Sequence, residues 1–150
     1  MRFLAALCLL SLYSHAAPAA DEHDPELRQA EAHWNLAAPK NYSLTVRYSA
    51  FVLEYGCEVQ TFNVSGRRSM PRQSDSNRCE FRPDKLGSIP ALFRLARQLS
   101  VRRPGEVSAE YDPTFGYPTK FYAGSKDVED DYFLFEVVSF KVADAKSAPN

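Results

Sequence analysis

Histidine is scarce in this chain, with three among 150 residues. Imidazole is the usual general base near neutral pH and the commonest metal ligand, so histidine chemistry has little to work with. His33 precedes Trp34 and is read as the edge of a packed stripe, while His23 belongs to a polar stretch near the start. No nucleophile with its base, no acid pair and no metal-ligand cluster stands out as a motif, so neither a cofactor nor a metal is expected. Long apolar runs are lacking too. The run from Phe3 to Leu12 covers about ten residues, too short to cross a bilayer as a helix, and no later stretch approaches a membrane span. Glycine is limited to six residues while aromatics reach 13%, which favours a packed sheet over a disordered chain.

The short apolar run fits an address instead. Met1-Arg2 gives it a basic start, and Ser14-His15-Ala16 and Ala17-Pro18-Ala19 each set small residues three and one before a cut. Residues 1–19 read as a secretory signal, cleaved after Ala19 or alternatively after Ala16. Cys8 follows Leu7 rather than the small residue that precedes a lipid-modified cysteine, so no lipid anchor is expected. About 130 residues remain, the usual size of one domain. Residues 20–145 are expected to form it, with 146–150 a frayed tail. Such a protein is periplasmic or extracellular, and nucleic acid is not an expected partner.

Beyond that leader lie two cysteines, Cys57 and Cys79. In an oxidising compartment they are natural partners for a disulfide. The loop of roughly twenty residues that they would close adds on the order of 3 kcal/mol of stability. Their spacing fits neither a thiol redox pair nor a zinc site.

Helical and extended periods alternate along the rest. Asp24-Pro25-Glu26 supplies a cap, a first-turn proline and an early acid, and Leu27, Ala30, Trp34 and Ala37 then recur at three- and four-residue steps. This predicts a helix from Pro25 to Ala37. From Tyr42 to Ala50 the period becomes two, a half-buried strand, and further strands are expected over Cys57 to Val64 and Arg67 to Met70 around a Ser65-Gly66 turn. Pro71 to Lys85 reads as a loop. Ser88-Ile89-Pro90 opens a second helix ending near Val101, followed by strands at Glu106 to Tyr111, Thr119 to Ala123 and Tyr132 to Val142. The expected fold is α+β in the order α-βββ-α-βββ, an antiparallel sheet of about six strands with two helices on one face. That order also hints at a duplicated unit, though no residue-level repeat supports it.

Two segments are candidate binding elements. From Gly66 to Pro104 there are ten basic residues and three acidic ones, and Arg67, Arg68, Arg94 and Arg97 could form an arginine-rich patch for an anionic surface. Ordinary surface ion pairs are the alternative. The second segment is Tyr111-Asp112-Pro113-Thr114-Phe115-Gly116-Tyr117-Pro118-Thr119. It reads as a rigid strand connector, or else as an aromatic contact surface through Tyr111, Asp112, Phe115 and Tyr117. Asp127, Glu129, Asp130 and Asp131 lack the spacing of a calcium loop and read as solvated hairpin acids. Asn41-Tyr42-Ser43 and Asn63-Val64-Ser65 match the short glycosylation pattern, which assigns no role by itself.

Trp34, the Asn41-Tyr42-Ser43-Leu44-Thr45-Val46 strand, Leu92-Phe93, the Tyr111 to Thr119 run and the acids before the final strand together resemble a known family. It is a family of exported bacterial proteins catalogued as a domain of unknown function, the six-one-seven-four family. The resemblance covers nearly all of the chain after the leader. It implies bacterial export, periplasmic or membrane-associated, and implies no established activity. One feature departs: the family commonly carries two close cysteines soon after the first strand, whereas Cys57 here stands alone with Cys79 as its candidate partner. The function these readings favour is a non-enzymatic exported protein that binds a macromolecule or an anionic envelope surface. Its sheet face or the Tyr111 to Thr119 loop, with the arginine-rich segment, would make the contact. Inhibition of a secreted enzyme is one version. The other class is a small hydrolase using acids such as Asp112 with arginine partners, which requires a cleft of converging polar groups.

Overall fold

The switch from a helical to a two-residue period just before Tyr42 is where the chain enters the sheet. The computed structural model describes residues 24–50, 59–72, 83–103, 105–125 and 132–143. Helix α1 spans Pro25–Ala37. The Asp24 carboxylate accepts a hydrogen bond from the Leu27 N–H at 2.9 Å, satisfying a donor that has no partner within the helix. Leu27, Ala30 and Trp34 form its buried stripe. Strands β1 (Asn41–Ala50), β2 (Val59–Ser65) and β3 (Arg68–Pro71) follow, then α2 (Pro83–Leu86), α3 (Ile89–Arg102), β4 (Val107–Tyr111), β5 (Pro118–Gly124) and β6 (Tyr132–Val142). The short α2 lies in the stretch read as a loop from sequence. Its anchor is Leu86, 1% exposed, which joins the hydrophobic core.

The six strands lie in the order β3-β2-β1-β6-β5-β4, and every neighbouring pair is antiparallel. The fold is therefore the expected α+β arrangement, with α1 and α3 contributing to one core on one face of the sheet. Alternation dictates which residues reach that core. Tyr42, Leu44, Val46 and Tyr48 of β1, Phe62 and Val64 of β2, Phe121 and Ala123 of β5 and Phe135 of β6 point into it, against Leu27, Trp34, Ile89, Leu92 and Phe93 from the helices. Each such side chain, fully buried, contributes about 1.5–3 kcal/mol. Gln60 is the polar exception on this face, and its amide donates to the Tyr48 hydroxyl at 3.3 Å. The Tyr42 hydroxyl in turn accepts from the Ile89 N–H at 3.1 Å, tying β1 to the start of α3.

The halves are not a structural duplication. Strands that would correspond (β1 and β4, β2 and β5, β3 and β6) keep the same order across the sheet but run in opposite directions. No rotation or shift that leaves both helices on one face produces that relation. The leader, Cys57 with Cys79, the acids from Asp127 to Asp131 and the tail lie outside the described residues.

Candidate functional site

The Tyr111 to Thr119 segment closes on itself. Asp112 Oδ1 accepts from the N–H groups of Thr114 at 3.0 Å and Phe115 at 2.7 Å, the local turn that aspartate favours. Its backbone closes both ends, the C=O accepting from the Gly116 N–H and the N–H donating to the Tyr117 C=O, each at 2.8 Å. Asp112, the acid named for an enzymatic reading, thus holds the turn. Gly116 has φ +78°, and a Cβ there would lie 2.7 Å from the Ala30 carbonyl oxygen, so the segment is pressed against α1.

The aromatic side chains of this segment turn inward. Tyr117 is buried and Phe115 half-buried, and their rings meet Phe140 at centroid distances of 4.7 and 5.5 Å. Trp34 completes the cluster against Tyr42, Tyr117 and Phe140 at 5.7, 6.2 and 5.9 Å. Tyr111 is half-buried, and its hydroxyl is enclosed without a hydrogen-bond partner among the described residues. Burial raises the pKa of Tyr42, Tyr111 and Tyr117 above the ordinary 10.0. The Asp24 and Glu26 carboxylates push Tyr111 further in the same direction, and Asp112, hydrogen-bonded to Tyr117, does so there.

These shifts carry a pH dependence with a definite sign. The unfolded chain releases tyrosine protons from about pH 10 while the folded chain retains them, so the unfolded state binds fewer protons there. Stability from these groups is complete below about pH 10 and falls as the pH rises beyond it. Tyrosinate absorbance should rise in two stages, the second coinciding with loss of the near-ultraviolet circular dichroism. One smooth titration of every tyrosine with the fold intact would contradict this.

The arginines are divided between layers. Arg67 is exposed in the β2–β3 turn, and Arg68 pairs in register with Ser65. Arg94 is exposed on α3, and Arg97 forms an ion pair with Glu31 of α1. Arg68 belongs to the sheet and Arg94 and Arg97 to the helical layer.

Register brings other residues together, on the sheet face opposite the helices. Glu110, Lys120, Glu136 and Arg47 stand side by side across β4, β5, β6 and β1, a row of alternating charge. Arg47 Nη1 and Glu136 Oε2 are 3.1 Å apart and both side chains are exposed. Toward one end Tyr122 and Tyr132 stack nearly parallel, 16° and 6.3 Å between centroids, and the Tyr132 hydroxyl shares a hydrogen bond with Ser49 at 3.1 Å. Gly124 makes this arrangement fit, since a Cβ there would lie 2.5 Å from the Tyr122 hydroxyl and 2.8 Å from the Tyr132 Cβ. Toward the other end come Thr45 and Thr61, hydrogen-bonded at 3.1 Å, and then Lys141 opposite Ser43 and Arg68 opposite Ser65. Among the described residues no helix covers this face. Of these residues the sequence singled out only Arg68. The signal for the tyrosines was there, two aromatic residues out of phase with the core-facing positions, but it needs the register to be read.

Charges of both signs alternate along the row on this face, and no group of three potential metal ligands occurs among the described residues. No helix of the described residues is long and apolar enough to cross a membrane. No curated protein and no solved structure matches the chain. A family model, described as a family of unknown function, DUF6174, matches residues 26–142, which take in α1 from Glu26 through the end of β6, and the chain belongs to that family.

Proposed function

We propose that this chain is an exported, non-enzymatic binding protein that engages an acidic macromolecule of the cell envelope through its uncovered sheet face. The observation that supports the reading is the composition of that face under the observed register. Arg47, Arg68, Lys120 and Lys141 stand against Glu110 and Glu136, with Arg68 and Lys141 giving a basic excess at the end of the face away from the aromatic pair. Tyrosines give contact area at low entropic cost, and the basic end steers an acidic partner. Export rests on the basic start, apolar run and small-residue cleavage sites of the first nineteen residues. The same compartment supports a Cys57–Cys79 bridge, for which a mass spectrum without reductant is the check.

Retention of the purified protein on envelope fractions tests the binding reading. Raising salt from about 0.05 to 0.5 M shortens the reach of exposed charges severalfold, so retention should fall severalfold. Arg68→Ser with Lys141→Ser should weaken it at low salt while changing stability by less than about 1 kcal/mol, because both side chains are exposed. Retention indifferent to salt and to both substitutions would overturn the reading.

A further inference from the structure

The two edges of the sheet are built differently. On one side β3 has four residues, Arg68 at its start and Pro71 at its end, and short length, charge and proline all blunt an edge against further pairing. On the other side lies β4, Val-Ser-Ala-Glu-Tyr, without proline or a basic residue. Its backbone phase is fixed by the Gly124 N–H, which donates to the Glu106 C=O at 3.1 Å. In an antiparallel ladder bonding pairs alternate, so Ser108 with Tyr122 and Glu110 with Lys120 exchange bonds. The N–H and C=O of Val107 and Ala109 therefore point away from β5, off the edge of the sheet.

We propose that two copies of this chain pair antiparallel through β4, about a two-fold axis at Ala109, so that the sheet continues across the dimer. The occupant is a second copy because the strand is complementary to itself in that register. Ala109 meets Ala109, Ser108 of each copy meets Glu110 of the other, and Val107 meets Tyr111. No like charges stand directly opposite, the arrangement that destabilises a strand pair. Ser108 and Glu110 lie on the uncovered face with Tyr122 and Lys120, and Val107 and Ala109 lie on the core side, half-buried. A ladder of five residues buries less than the roughly 1,000 Å² of a stable interface, so the dimer is weak and concentration-dependent.

Sedimentation equilibrium of the purified protein from micromolar to millimolar concentration reads this directly. The weight-average mass should climb toward twice that of one chain, and Ala109→Pro should hold it at one chain over the same range. The proline removes an N–H that points off the edge and bonds nothing among the described residues, so the circular dichroism should be unchanged. A wild-type mass that stays at one chain throughout, as it would if the edge served only a peptide of another protein, overturns the proposal; so does a folded Ala109→Pro that associates as wild type does. Should Ala109→Pro fail to fold, amide exchange in the wild type decides. Protection of Val107 and Ala109 that grows with concentration, with Ser108 and Glu110 unchanged, supports pairing through β4. Exchange independent of concentration at Val107 and Ala109 overturns it.

Discussion

Replacing Gly116 with alanine should destabilise the fold by about 2–5 kcal/mol and lower its thermal midpoint by on the order of 10 °C. Two costs combine. At φ +78° an L side chain meets its own backbone, worth about 1–2 kcal/mol. The new methyl would also sit 2.7 Å from the Ala30 carbonyl oxygen and 2.8 Å from the His33 Cβ, and neither atom is the free end of a flexible chain. Relief would require lifting the turn off α1, which separates Tyr117 and Phe115 from Phe140. Gly105 is the natural control. It has φ +79° with nothing within 4 Å of its hypothetical Cβ, so Gly105→Ala reports the conformational cost alone, about 1–2 kcal/mol. Equal losses in the two variants, measured by urea denaturation, would show that the packing of the turn against α1 contributes nothing.

Trp34→Ala should cost about 3–5 kcal/mol, the range for removing a large aromatic from a core. Trp34 is 3% exposed and stands edge-on to Tyr42, Tyr117 and Phe140, so α1, β1, the β4–β5 turn and β6 all lose a shared neighbour. Single domains have about 5–15 kcal/mol in hand, so this one change removes a large share. Because the sequence contains one tryptophan, denaturation must be followed by far-ultraviolet circular dichroism. A loss below about 1 kcal/mol would mean that the cluster is loosely packed. Trp34→Phe should recover part of the loss, as a ring still reaches Phe140.

Where a rule of local chemistry acts alone, the sequence was legible. The cap at Asp24, the proline after it and the steps from Leu27 to Trp34 place α1 at the bounds the structure gives, Pro25–Ala37. Strict alternation from Tyr42 to Tyr48 identifies both the core and the polar side of β1. Legibility fades where a residue's meaning depends on distant partners. The run Tyr-Phe-Leu-Phe-Glu-Val-Val-Ser-Phe-Lys-Val of β6 is apolar on both phases, and a register shift opposite Thr45 and Val46 leaves Val138 out of the pairing. Which of its residues face the helices follows only from the ladder. The pairing of Tyr122 with Tyr132 is likewise a property of two strands together, and the charge row from Glu110 to Arg47 of four at once. The arginine-rich segment shows the converse: members of one basic stretch, Arg68 and Arg94 go to different layers because β3 joins the sheet and α3 the helical layer.

Position-specific photocrosslinking in the cells that make the protein tests the central claim most directly, that the uncovered sheet face is the binding surface. A benzophenone side chain at Ser43 or Lys120 samples that face, and one at Asn35 or Gln98 samples exposed positions on α1 and α3. The account predicts a discrete crosslinked species from the two sheet positions, weakened by high salt, and none from the helical positions. Crosslinks of equal yield from both layers, or from the helices alone, would contradict it.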